Sequence, residues 1–152
     1  MKVRRKRTKT ATIPVHVAVL IPSQDTWVAG FGYDLATCMA HTAGWLLPRG
    51  GDISINMIQS SLLPSSRMEL VKRAVKIEAT HLMWFDSDMR FPKDALIHLL
   101  QHGRSIVAAN YPTRTAPIVP TAVDGQRREV FERADVALQD VQYCGMGCML
   151  TA

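Results

Sequence analysis

Two kinds of segment, each with its own pattern of apolar and polar residues, alternate along this chain. Their order predicts an α/β domain. Between Pro14 and Pro22 the run Val-His-Val-Ala-Val-Leu-Ile is β-branched and almost continuously apolar, which is typical of a strand buried on both faces of a parallel sheet. From about Asp34 to Leu47 the apolar residues recur every three or four positions, which predicts a helix with Asp34 as its N-cap. Residues 53–60 alternate apolar and polar side chains and are predicted to form a second strand.

The middle of the chain repeats this order. The segment Ser66-Arg67-Met68-Glu69 has the composition of a capping box and predicts the start of a second helix. His81–Phe85 predicts a third buried strand, and Pro92 predicts the start of a third helix that ends at His102-Gly103. Residues 105–110 predict a fourth strand. Strands that alternate with helices at this spacing indicate βαβ units and a mostly parallel sheet with flanking helices.

The last third of the chain has a different pattern. Prolines 112, 117 and 120 and the turn Asp124-Gly125 predict an irregular hairpin that lies over the sheet. Residues 141–151 then predict a final strand, which carries Gly145 and Gly147. Because the sequence ends directly after the apolar residues of this strand, we expect a domain that lacks its C-terminal part.

Length and charge define the extent of this domain. A chain of 152 residues with 47% hydrophobic residues fits one folded domain and excludes a wholly disordered protein. The net charge of +5 comes from the N-terminus, where six of the 18 basic residues occupy the first nine positions. Without those six, 12 basic and 13 acidic side chains remain. We therefore expect residues 1–12 to be a disordered basic tail and residues 13–152 to form the domain.

Composition also restricts the partners and the compartment. The tail has no interleaved aromatic residues, so no specific nucleic-acid binding is expected. No apolar stretch reaches the roughly 18 residues of a transmembrane helix. Three cysteines form an odd set without metal-ligand spacing, which predicts small buried thiols in a reducing cytoplasm.

The candidate chemistry lies where the predicted strands end, because ligands of open α/β sheets bind outside the carboxyl ends of the strands. Ser23-Gln24-Asp25 follows the first strand and Asp86-Ser87-Asp88 follows the third. Two carboxylates one residue apart favour a cation between or beside them. Mg²⁺ and Mn²⁺ prefer oxygen ligands, so this Asp-x-Asp motif is suited to hold a metal–diphosphate. The alternative is that Asp86 only ends a strand and Asp88 only begins the next helix.

The segment from His81 to Leu96 resembles the central segment of GT-A glycosyltransferases of the family 2 type, particularly short phage and prophage members. In that family a hydrophobic strand leads into Asp-x-Asp, and a Phe-Pro step opens the next helix, as at Phe91-Pro92 here. The first strand and its loop, the segment 61–67, the strand Val-Ala-Ala-Asn-Tyr-Pro and the late Gly-Met-Gly-Cys-Met-Leu strand follow in the family's order. The resemblance covers roughly residues 13–150.

The resemblance implies a Rossmann-like GT-A nucleotide-diphospho-sugar transferase fold and the transfer of a sugar to an unknown acceptor. Asp86 and Asp88 would hold Mn²⁺ or Mg²⁺ against the diphosphate, with Asp88 the more direct ligand. Arg67 would bind a phosphate or hold the Asp-x-Asp segment, and its alternative interpretation is an exposed residue of the first helical turn. The residues implied in nucleotide-sugar binding are Ser23, Gln24, Asp25, Arg67, Asp86 and Ser87.

The missing segment that would supply a general base keeps other functions open. An inverting enzyme needs a general base, usually an Asp or Glu from beyond the glycine-rich strand, and the sequence ends before such a segment. Asp124, Glu129 and Asp135 are available acids, but their spacing marks none as the base. One alternative is an inactive sugar-nucleotide- or metal-binding remnant. Another is a phosphohydrolase of the haloacid-dehalogenase type, although that family carries its Asp-x-Asp on the first strand and not on the third.

Overall fold

Strands and helices alternate through the first two thirds of the chain. The computed structural model describes residues 14–114, 116–125, 127–128 and 138–152, so the tail predicted at residues 1–12 lies outside the described residues. The helices are α1 (Ala29–Leu46), α2 (Leu63–Lys76) and α3 (Ala95–Gln101), with a 3-10 turn at Leu47–Arg49. The strands are β1 (His16–Ser23), β2 (Asp52–Gln59), β3 (His81–Phe85), β4 (Ile106–Ala108), β5 (Val123–Asp124), β6 (Arg127–Arg128) and β7 (Cys148–Thr151).

The protein is a mixed α/β domain, as the sequence pattern predicts. Within the described ranges, five strands form one sheet in the order β2-β1-β3-β7-β4. β1 pairs in parallel with β2 and with β3, whereas β7 is antiparallel to both of its neighbours. The parallel pairings therefore join β2, β1 and β3, and the antiparallel strand β7 connects them to β4. β1 is apolar because it has a strand on each side and helices on both faces.

Helices cover both faces of the sheet, and successive residues of β1 point to opposite faces. Val17, Val19 and Ile21 pack into a core with residues of α1 and α3. Ala18 and Leu20 pack on the other face against α2. All five of these residues are fully buried. Successive side chains of a strand point to opposite faces. Because helices cover both faces here, both sets of side chains are buried, which explains why the run is almost entirely apolar.

Three predicted helix starts are wrong. α3 begins at Ala95 and not at Pro92, because residues 93–94 form a turn in which the Ala95 amide donates to the Pro92 carbonyl at 3.1 Å. α1 begins at Ala29, so Asp34 lies inside the helix and is not its N-cap. α2 begins at Leu63, and the proposed capping box therefore does not form. Pro64 lies in the first turn of α2, where a missing amide hydrogen costs no helical hydrogen bond. The Ser66 hydroxyl, one turn inside α2, donates to the Leu62 carbonyl at 3.0 Å.

The last third of the chain contains a short hairpin, as predicted. β5 and β6 are antiparallel, and Gly125 between them has a φ of 60°, a conformation that favours glycine. The predicted strand at residues 141–151 is shorter than expected: β7 begins only at Cys148, after the irregular segment that contains both glycines. None of the described helices is both long and apolar enough to cross a bilayer.

Candidate functional site

The Asp-x-Asp motif lies at the carboxyl edge of the parallel strands. Leu20 of β1 pairs with Trp84 of β3, so the two strands leave the sheet side by side, β1 at Ser23 and β3 at Phe85. Residues 86–88, which we call the Asp-x-Asp turn, follow β3 directly. This is the edge at which open α/β sheets bind their ligands.

The glycine-rich segment before β7 reaches the same edge because β7 runs antiparallel to β3. Cys148 pairs with Phe85, which brings Gly147 next to Asp86. The Asp86 amide donates a hydrogen bond to the Gly147 carbonyl at 3.0 Å. The first residue of the Asp-x-Asp turn is therefore hydrogen-bonded to the segment that leads directly into β7.

Arg67 and Asp86, which the resemblance places in one site, are in contact. Nη2 of Arg67 lies 3.2 Å from Oδ1 of Asp86, and both side chains are about one third exposed. The pair forms because α2 packs its buried residues Leu70 and Ala74 on β1 and β3, which directs the first turns of the helix toward the carboxyl edge. Nε of Arg67 is buried and has no hydrogen-bond partner in the part of the chain that the structure describes.

Asp88 has an arginine partner of its own. Nη2 of Arg114 forms an ion pair with Oδ1 of Asp88 and donates to the Asp88 carbonyl oxygen at 2.9 Å. Each carboxylate of the Asp-x-Asp turn is therefore paired with one guanidinium. The two guanidinium groups thus balance the two negative charges that the motif places one residue apart.

Tyr111 fills the space that the two glycines leave open. Its hydroxyl accepts a hydrogen bond from the Gly147 amide at 2.8 Å. A Cβ atom on Gly145 would lie 2.2 Å from that hydroxyl oxygen, and one on Gly147 would lie 2.7 Å from it and 2.9 Å from Oδ2 of Asp86. Burial raises the pKa of the Tyr111 hydroxyl above its ordinary value, so the phenol stays neutral beside the Asp86 carboxylate. The glycines are required by this close approach of ring, backbone and carboxylate.

A buried carboxylate anchors the residues that leave the Asp-x-Asp turn. Oδ2 of Asp34 accepts from Nε of Arg90 at 2.5 Å and from the amide of Phe91 at 3.2 Å. The Arg90 guanidinium lies over Gly30, where a Cβ would be 2.6 Å from its Nη1. The hydrogen bond from Arg90 holds the pKa of Asp34 below its usual range. This anchor ties the segment after the turn to α1.

The end of β1 and the loop that follows it lie at the same edge. Ser23, which was predicted to follow the first strand, is the last residue of β1 because it pairs with Gln59 of β2. Ser23 is only 3% exposed, and its hydroxyl accepts a hydrogen bond from the indole Nε1 of Trp27 at 3.0 Å. Oδ1 of Asp25 accepts from Nε2 of Gln59 at 3.2 Å, whereas Gln24 is exposed. The loop therefore presents the Trp27 ring and the Gln24 side chain to solvent more than the Ser23 hydroxyl.

The Asp-x-Asp turn offers two carboxylates as oxygen donors for a cation. The described residues contain no cluster of three or more His, Cys, Asp or Glu side chains placed to hold a metal ion. They do offer the carboxylates of Asp86 and Asp88, whose side chains are 37% and 40% exposed. Mg²⁺ commonly binds through one or two carboxylates, with waters and substrate phosphates completing its shell. The arrangement is consistent with such an ion and unlike a closed protein cage.

Four residues that hold this region together were not predicted from the sequence: Asp34, Arg90, Tyr111 and Arg114. Asp34 was interpreted as a helix cap, so its contact with Arg90 was missed. Tyr111 had a usable signal, because two glycines spaced by one residue near a buried strand indicate close backbone approach. Arg114 lies 26 positions from Asp88, and no local pattern relates them.

The remaining residues named from the sequence lie in different places. Ser87 is partly buried within the turn, and Asp124 lies on β5. Glu129 and Asp135 fall outside the described residues.

Comparisons with known proteins bear on the fold. No protein-family model matches the sequence, and a comparison with curated proteins gives no match. Among solved structures, the chain is similar to A197 from STIV, with a TM-score of 0.56 and 13% sequence identity. The alignment covers 90% of this chain and 64% of A197, so this chain spans less than two thirds of that protein. At this identity the likeness shows a shared α/β fold.

Proposed function

We propose that this chain is a GT-A-like domain that binds a nucleotide-sugar through a divalent cation and transfers the sugar to an acceptor. The observation that carries the proposal is the position of Asp86 and Asp88, both partly exposed, at the carboxyl edge of the central strand β3. Carboxylates at this place in an α/β sheet are suited to a metal-bound diphosphate. The resemblance of residues 81–96 to family 2 glycosyltransferases supports the same function.

The two carboxylates have distinct surroundings and therefore distinct roles in the proposal. Asp86 is fixed through its own amide to Gly147, and its side chain lies between Arg67 and the glycine-rich segment. Asp88 is further out and its partner Arg114 is largely exposed. Asp88 is the more accessible ligand and Asp86 the more rigid one. A bound Mn²⁺ or Mg²⁺ would supply a Lewis acid that stabilises the leaving nucleoside diphosphate.

The loop after β1 supplies the proposed nucleoside site. Trp27 is 36% exposed and packs edge-on against Phe31, with ring centroids 5.2 Å apart. The hydrogen bond to Ser23 holds the indole in place at its nitrogen. A fixed and partly exposed aromatic face is suited to stack on a base or a sugar. Gln24 and Asp25, on the same loop, provide amide and carboxylate groups for hydrogen bonds to the nucleoside.

Calorimetric titration with UDP tests the proposal. We expect UDP to bind in the presence of Mn²⁺ and to bind at least about tenfold more weakly without it, because the carboxylates reach the diphosphate through the ion. Asp88→Asn keeps the size of the side chain but removes a charged metal ligand, so it should abolish the effect of Mn²⁺. Asp52→Asn is a matched control, since Asp52 is exposed and begins β2, at the opposite edge of the parallel strands from the site. GDP, ADP and CDP in the same assay identify the base.

Two outcomes would contradict the proposal. One is that UDP and the other three diphosphates fail to bind with Mn²⁺ present, or bind equally well to the Asp88→Asn variant. The other is metal-dependent hydrolysis of p-nitrophenyl phosphate that Asp86→Asn abolishes, which would favour the phosphohydrolase. Release of UDP from a UDP-sugar distinguishes an active transferase from a protein that only binds its donor.

A further inference from the structure

Arg114 lies at the candidate site although no sequence pattern or resemblance assigns it a role. Its side chain is 61% exposed, and its guanidinium contacts both the carboxylate and the main-chain carbonyl of Asp88. The preceding residue is well held: the Thr113 amide donates to the Val119 carbonyl at 2.8 Å, and the Val119 amide donates to the Thr113 hydroxyl at 3.1 Å. A long, exposed side chain on a fixed base can change partners without moving the backbone.

Each arginine contacts one oxygen of a carboxylate that a metal ion would use. Arg114 pairs with Oδ1 of Asp88, and Arg67 pairs with Oδ1 of Asp86. A divalent cation bound to the same carboxylate, at either oxygen, would lie a few Å from the guanidinium and repel it. Binding of an ion to these carboxylates therefore weakens at least one arginine contact.

Loss of either arginine–carboxylate contact should change the stability of the protein little. The pairs are partly exposed, and exposed ion pairs contribute little to stability. Arg67 gives up one hydrogen bond at 3.2 Å, and its Nε has no bond to lose among the described residues. Each arginine places only one nitrogen on its carboxylate, whereas a phosphate can accept two parallel hydrogen bonds from one guanidinium.

We propose that Arg114, together with Arg67, exchanges a carboxylate of the Asp-x-Asp turn for the diphosphate of the incoming nucleotide. This inference rests on the proposed function and adds a phosphate-binding residue to it. Without ligand, the arginines neutralise Asp86 and Asp88. With ligand, the carboxylates bind the cation and the guanidinium groups bind phosphate oxygens. Two guanidinium groups and a divalent cation balance two carboxylates and a doubly charged diphosphate, so the exchanged site is close to neutral.

The exchange predicts that one variant, Arg114→Gln, binds Mn²⁺ more tightly but UDP more weakly. Arg114→Gln removes a competitor for Asp88, so Mn²⁺ alone, followed by its electron paramagnetic resonance signal, should bind roughly two- to fivefold more tightly. The same variant removes a phosphate ligand, so UDP at saturating Mn²⁺ should bind about tenfold more weakly. Arg114→Lys keeps the charge without the fork and should give an intermediate UDP affinity.

Arg104→Gln is the matched control. It removes the same charge from an exposed arginine that precedes β4, at the opposite edge of the sheet from the Asp-x-Asp turn, and it should alter neither affinity more than about twofold. Circular dichroism of each variant verifies that it is folded, which is expected because the Arg114 pair is exposed.

The outcomes separate this inference from the function on which it rests. Tighter Mn²⁺ binding together with weaker UDP binding in Arg114→Gln supports the exchange, and any other pair of changes overturns it. If the unmodified protein binds UDP with Mn²⁺ and Arg114→Gln binds it equally well, the exchange is wrong while the proposed function stands. If the unmodified protein binds no nucleotide with Mn²⁺, both are wrong.

Discussion

Asp34 of α1 accepts hydrogen bonds from both the side chain of Arg90 and the main-chain amide of Phe91. One buried carboxylate thus fixes the exit of the Asp-x-Asp turn, while the Gly147 carbonyl fixes its entry at Asp86. Phe91 is itself buried, and its ring stacks on Phe85 with centroids 3.9 Å apart. The turn is therefore held at both ends by groups that do not need to contact the ligand.

Replacing Asp34 with alanine should destabilise the protein. The Phe91 amide would lose its acceptor in a buried position, which costs about 2 kcal/mol in the free energy of unfolding. Urea denaturation measures this loss. Asp140→Ala, at an exposed position, should change the free energy by no more than about 0.5 kcal/mol. Equal stability of the two variants would show that Asp34 does not anchor the turn.

The same substitution should make stability less sensitive to acid. Arg90 holds the pKa of folded Asp34 below its ordinary value of 3.8. A carboxyl with a lowered folded pKa stabilises the protein fully above its ordinary pKa and loses that effect as the pH falls through the folded pKa. The gap in stability between the unmodified protein and Asp34→Ala should therefore be largest at neutral pH and shrink below about pH 4. A gap that grows on acidification would contradict this assignment.

The loss of stability caused by replacing Gly147 with alanine should depend on Tyr111. The new Cβ would lie 2.7 Å from the Tyr111 hydroxyl and 3.1 Å from its Cζ, so the hydroxyl causes the most severe overlap with the ring. We expect Gly147→Ala to cost about 1–3 kcal/mol in the free energy of unfolding, and to cost less in a Tyr111→Phe background. Thermal or urea denaturation of the four proteins of the cycle measures the coupling.

Gly145 supplies the contrast for this cycle. A Cβ there would lie 2.6 Å from Cζ of Tyr111, so removal of the hydroxyl leaves a severe overlap. Tyr111→Phe should therefore relieve Gly147→Ala more completely than Gly145→Ala. Equal relief at both positions, or none at either, would mean that the ring moves away and that the glycines are not required by its position.

The sequence was sufficient for the parts of the fold in which a pattern is local. The apolar runs predicted β1 and β3 because burial on both faces leaves no polar positions, and the end of β3 predicted where the two carboxylates would lie. The start of α1 was misplaced because Asp34 resembles a cap, and its use as an anchor depends on Arg90, 56 positions away. The signal for the earlier start was Phe31, which lies four positions before Leu35 and so continues the apolar spacing of the helix.

The site was predicted only where its residues adjoin strand ends. Asp86 and Asp88 follow a strand, so their place at the carboxyl edge could be expected from parallel topology alone. Arg114 reaches Asp88 from a proline-rich segment without periodicity, and its contact depends on how that segment folds back. The antiparallel direction of β7 brings Gly147 to the same edge. Whether this strand runs parallel or antiparallel to β3 could not be predicted from its residues.

Trp27 should report nucleotide binding by its fluorescence. If the base stacks on the exposed indole, UDP with Mn²⁺ should change the emission of the unmodified protein, and Trp27→Phe should lose most of that change. Trp84 is buried in β3, and Trp45 lies near the end of α1 beside Arg49. Trp45→Phe is therefore a matched control that should retain the response. A response that survives in Trp27→Phe would place the base elsewhere.

The cysteines should differ in reactivity by burial, and Cys148 should report whether the last strand is formed. Burial raises the pKa of Cys148 to about 12 and raises that of Cys38, and both thiols are almost inaccessible. Burial raises the pKa of Cys144 as well, but its thiol is partly exposed whereas the other two are buried. Because the thiolate is the reactive form and must also be accessible, iodoacetamide at pH 8 should alkylate Cys144 well before the other two. Mass spectrometry of the modified peptides measures the order, and all three should react at similar rates in concentrated urea. Cys148 pairs with Phe85, directly before Asp86, so its rapid alkylation in the folded protein would mean that the strand supporting the Asp-x-Asp turn opens readily.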